Sequence, residues 1–192
     1  MRNTYTNNGG ENGYVGLTSN TPFSEVVPVP FAALDGNTIN VKRGAWMGGT
    51  TDTNASAKLL PAKSCMACCC GGMPPIIQEI SGQDGGVAFL SAAGTIVTKT
   101  LAAGEVIVVD SDSVVGFGKD VGFDVKSVGN CQSVFFGGEG CFNTTLTGPG
   151  PVFLQSISVD SLMRKLVTIQ KEKDPQEGGG GGAAPTPEGI AR

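Results

Sequence analysis

The sequence predicts an all-β fold made of duplicated antiparallel β units, and three observations lead there. The first is an internal repeat. Leu34-Asp35-Gly36-Asn37-Thr38-Ile39-Asn40-Val41 leads to Trp46-Met47-Gly48, and Leu101-Ala102-Ala103-Gly104-Glu105-Val106-Ile107-Val108-Val109 leads to Val114-Val115-Gly116. Gly36 matches Gly104 and Gly48 matches Gly116 at one offset of 68 (104 − 36 and 116 − 48). Cys70-Gly71-Gly72 matches Phe136-Gly137-Gly138, and Ile80-Ser81-Gly82 matches Leu146-Thr147-Gly148, at an offset of 66 (136 − 70 and 146 − 80). Gly86-Val87-Ala88-Phe89-Leu90 matches Gly150-Pro151-Val152-Phe153-Leu154 at 64 (150 − 86). Small loop insertions and deletions between two copies of one unit produce such a drift. The second observation is composition: 30 glycines and 11 prolines against one Trp and two Tyr point to many turns and short strands. The third is that the apolar residues alternate or run in short β-branched clusters, which is the pattern of strands.

Taken in chain order, residues 1–12 are a polar, glycine-rich lead-in that belongs to an incomplete first repeat. Gly13-Tyr14-Val15-Gly16-Leu17 matches the end of the unit, with Leu17 falling on Leu90 and Leu154, so residues 13–30 are expected to supply the closing strands of a partial copy. The chain therefore begins inside a repeat, and the front of that first copy is expected ahead of Met1. Residues 34–90 and 101–154 are the two full copies, and the β domain spans 13–170. Within it, Val87–Leu90 and Val152–Gln155 read as short strands entered from glycine or proline turns. Glu105–Val109 is nearly all β-branched, which predicts burial on both faces. Val121-Gly122-Phe123-Asp124-Val125-Lys126 alternates with period two, so Val121, Phe123 and Val125 are expected to face inward. Strands this short and evenly spaced suit a closed or sandwiched antiparallel sheet. Ser161–Ile169 is the one helical pattern, with Leu162, Leu166 and Ile169 on one face and Asp160 or Ser161 as cap; a final strand is the alternative. Residues 171–192 hold the run Gly178–Gly182, Pro185 and Pro187 and few large apolar side chains, which predicts a disordered tail.

Composition narrows the function. A chain of 192 residues suits one domain with a sizeable core. The formal net charge is −4, and no basic run or Lys/Arg-aromatic interleaving offers to neutralise phosphates, so nucleic acid is not expected as a partner. No 18-residue apolar stretch occurs, and Met1–Asn20 has neither a signal-peptide core nor an Arg-rich amphipathic pattern. There is no histidine, which removes imidazole bases, Ser-His and Cys-His pairs and histidine metal ligands together.

The block Gly137-Gly138-Glu139-Gly140-Cys141-Phe142, then Leu146-Thr147-Gly148-Pro149-Gly150-Pro151-Val152-Phe153-Leu154-Gln155-Ser156, resembles the signature of the altered-inheritance-of-mitochondria 24 family of mitochondrial biogenesis proteins. Leu101, Gly104-Glu105 and Val109-Asp110, followed by Val114-Val115-Gly116-Phe117, are similar to the strand ahead of it. Val27-Pro28-Val29 and Lys42-Arg43-Gly44-Ala45-Trp46 are similar to the family's earlier blocks. The resemblance covers roughly Gly13 to Leu166. It implies double-stranded β-helix units in pseudo-threefold arrangement, akin to the tryptophan RNA-binding attenuation protein, and a missing N-terminal third. It further implies a non-catalytic scaffold or binding protein supporting mitochondrial membrane-complex organisation. Its expected partners are proteins, other copies of this chain among them, with peripheral membrane association open and no cofactor. The mitochondrion is the expected compartment and the cytoplasm the alternative. One block departs: the second copy has Glu139-Gly140 where the first has Met73-Pro74-Pro75.

Cys65, Cys68, Cys69 and Cys70 form the one cluster that suggests chemistry, and they support the alternative function of a thiol-based metal or redox binder. C-x-x-C lets two sulfurs converge on zinc or an iron–sulfur cluster. A closed site usually recruits a remote pair, for which Cys131 and Cys141 are the candidates, and adjacent cysteines cannot all reach one metal. Palmitoylation is a further use. Plain packing competes with all of these, because Cys70 matches Phe136 and free Cys packs well. Cys131 and Cys141 flank Val134-Phe135-Phe136, but their spacing does not establish a facing pair. Gly137, Gly138, Gly140, Gly148 and Gly150 read as structural turn glycines, because a phosphate loop needs a following helix and a nearby Lys. Asp110-Ser111-Asp112 reads as a turn bonding its own backbone, with a cation site as the weaker alternative. No catalytic residue is identified.

Overall fold

A computed structural model of the protein describes residues 3–19, 21–50, 52–59, 76–127, 142–158, 162 and 166. The strands are β1 (Ser24–Pro30), β2 (Thr38–Val41), β3 (Trp46–Gly49), β4 (Asn54–Leu59), β5 (Ile76–Ser81), β6 (Val87–Leu101), β7 (Val106–Asp110), β8 (Val114–Gly118), β9 (Gly122–Ser127), β10 (Phe142–Thr147) and β11 (Gly150–Ile157). The fold is all-β, as the sequence predicts. One sheet runs β1-β6-β11-β8-β2-β5-β4, with β3 also paired to β6; a second, of three strands, runs β7-β10-β9. The pairings are antiparallel.

Two sets of pairings share one register. Ile39 faces Ile80 and Asn54 faces Ser81; Ile107 faces Leu146 and Gly122 faces Thr147. Trp46 faces Leu90, then Gly48 faces Phe89 after a one-residue slip. Val114 faces Leu154 and Gly116 faces Phe153 across a slip at the same place. Gly36 and Gly104 mark the turns that enter β2 and β7, at φ 57° and 78°, values that glycine adopts without the steric penalty of a Cβ.

β6 is longer than its composition suggests. Ser91-Ala92-Ala93-Gly94 has the small residues of a loop, yet one strand continues from Val87 to Leu101. Gly94 sits at φ 74° and lets the strand bend without ending. The first half of β6 pairs with β1 and β3, the second with β11. Two apolar clusters form under these sheets. One gathers Phe31, Leu34, Ile39, Val41, Ile80, Leu90 and Phe153 with their neighbours. The other gathers Ile77, Leu101, Val114, Phe117, Val121, Leu146 and Val152, with the Phe117 and Phe123 rings stacked 5.3 Å apart.

The structure corrects three expectations. Residues 13–17 carry no strand, and Tyr14 and Val15 are exposed; their glycines break up the apolar pattern too soon for a strand to pair. β7 covers one face only: Val106 and Val108, on the face opposite half-buried Ile107 and Val109, are 53% and 60% exposed. Val121 is buried but precedes its strand, in a turn where its N–H donates to the Gly118 carbonyl. Of the expected helix, Leu162 and Leu166 are described and helical, and the Leu162 N–H donates to the Ser158 carbonyl. The rest of that segment and residues 171–192 lie outside the described residues.

Candidate functional site

The charged side chains among the described residues largely hold strands together. Lys42, just after β2, reaches Asp112 at 3.2 Å, with both side chains largely buried. The Lys42 N–H also donates to the Val115 carbonyl, so one residue ties the β2 end to the β8 entry twice. Asp112 closes a tight turn at Ser111–Ser113, where the Asp110 carboxylate accepts from the Asp112 N–H at 3.2 Å, as the turn reading expects. Gln155 fastens this turn to β11 and β6: its Nε2 donates to the Asp112 carbonyl at 3.2 Å, and its Oε1 accepts from the Ala93 N–H at 3.1 Å. Ser111 and Thr144 share a buried hydroxyl contact of 2.8 Å. Lys58 pairs with Glu79 at 2.6 Å across β4 and β5.

The Glu105 carboxylate is held below its usual range. The Lys99 ammonium, which donates to it at 2.6 Å, is the largest cause, and the Ala102 N–H, donating at 2.9 Å, is the next. This geometry locks the turn between β6 and β7. Buried Asn40 Oδ1, Trp46 Nε1 and Gln78 Oε1 find no hydrogen-bond partner among the described residues.

Cys65, Cys68, Cys69, Cys70, Cys131, Cys141, Gly137, Gly138 and Gly140 lie outside the described residues. Of the turn glycines that are described, Gly148 stands where a Cβ would strike the Ala102 carbonyl, and Gly150 has φ 135°. Among the described residues no three His, Cys, Asp or Glu side chains gather as metal ligands, and no helix is long and apolar enough to cross a membrane.

What the structure adds is a surface. Val106 and Val108 project from β7, whose only strand partner among the described residues is β10. Their cross-strand neighbours on that face are Thr147 and Thr145. Val97 on β6 and the facing pair Leu59 and Ile76 at the β4–β5 end add further exposed apolar area. β-Branched residues on a strand with one free edge offer backbone donors and acceptors beside apolar contacts, which is the equipment for binding a polypeptide. The β-branched run in the sequence located this strand but not its bare face, because the run reads the same whether or not a neighbour covers it.

A chain of Streptococcus pyogenes whose crystal structure is solved has a similar fold, with a TM-score of 0.61 at 19% identity. The match covers 79% of this chain and 62% of that one, so the present chain spans less than two thirds of that structure's length. No curated protein sequence matches. The family model described as mitochondrial biogenesis AIM24 matches residues 1–157. That span takes in every strand among the described residues, both apolar clusters and the Lys42–Asp112 tie, and the chain belongs to the mitochondrial biogenesis AIM24 family.

Proposed function

We propose that this protein is a non-catalytic binding scaffold that supports the organisation of mitochondrial membrane complexes. The observation that carries the proposal is the bare, β-branched edge of β7, a surface suited to holding a polypeptide. Family membership supplies the mitochondrial setting. The engagement of Asp110, Asp112, Glu79 and Glu105 in local structural bonds supports a non-catalytic role, because groups tied to their own fold are poorly placed to serve a substrate.

The test is deletion of the gene, followed by native electrophoresis of mitochondrial membrane complexes and re-expression. Loss of assembled complexes, restored by the wild-type chain but not by a Val106→Lys/Val108→Lys chain, supports the scaffold. Intact complexes would overturn it. So would stoichiometric zinc or iron in protein purified under reducing conditions, if that metal is lost on replacing Cys65 and Cys68 by serine; this result would establish the thiol-based alternative.

A further inference from the structure

We draw no further inference here: the strongest candidate, the exposed apolar pair Leu59 and Ile76 facing each other at the end of the β4–β5 ladder, carries nothing, because nothing in the structure shows what covers it.

Discussion

Glu105 and Lys42 show two different uses of a charged side chain. Glu105 is half-buried, and its carboxylate lies below its usual range because Lys99 and the Ala102 N–H bond the ionised form. A folded-state value below the unfolded one contributes stability that is present above the unfolded value and is lost as pH falls through the folded one. Glu105→Gln should therefore melt below wild type at neutral pH, and the gap should close on acidification below about pH 4, as the folded carboxylate protonates after the unfolded one. Melting curves at stepped pH check this; a gap that widens in acid would contradict the Lys99 assignment. Lys42 faces Asp112 with little access to water. Removing one member of a buried pair leaves the other desolvated, so Lys42→Met should cost about 3 kcal/mol in denaturant unfolding. Lys42→Met combined with Asp112→Leu should recover part of that loss, because neither charge of the pair is then left buried without the other.

At the scale of elements, β6 decides the shape of the sheet and Gly94 decides β6. A Cβ at Gly94 would meet the Ser156 hydroxyl and lie 2.7 Å from Ile157 Cγ1, on a backbone at φ 74°. Gly94→Ala should therefore destabilise the protein by more than about 1 kcal/mol, read from urea midpoints. Gly85→Ala makes a control, since nothing lies within 4 Å of a Cβ there. The strands legible in the sequence are those with β-branched or alternating residues: β7, β9 and β11 were placed within a residue or two by local pattern. The continuity of β6 was not legible, because Ala92-Ala93-Gly94 carries no strand signature and only the pairing on both sides extends the strand. The candidate surface was illegible for a related reason. A free edge is a relation between strands, and Val106-Ile107-Val108-Val109 has the same composition paired or bare. The acidic turn at Asp110–Asp112 was legible because its constraint is local.

At the scale of the molecule, pairing over long sequence separations dominates. β1 lies against residues 87–93, and β2 against residues 116–118. Closing such loops before any pairing compensates for them is slow, so refolding should take milliseconds to seconds, about the range of other sheet-dominated domains. Stopped-flow tryptophan fluorescence reads this well, because the single Trp46 lies on β3 against the first apolar cluster. Microsecond refolding would show that local turns, rather than the distant strands, limit the rate.

The bend between β6 and β7 has one more consequence. Ala102, Ala103 and Gly104 are exposed, and no residue of that turn enters either apolar cluster. The peptide bonds there do little to hold β8 and β11 in place; the β6–β11 ladder and the β2–β8 seam do that on either side of it. The molecule is therefore divisible at a point where it looks continuous. Residues 1–103 and 104–192, produced as separate polypeptides in one cell, should find each other and purify as a single two-piece protein, and each alone should stay insoluble or unfolded.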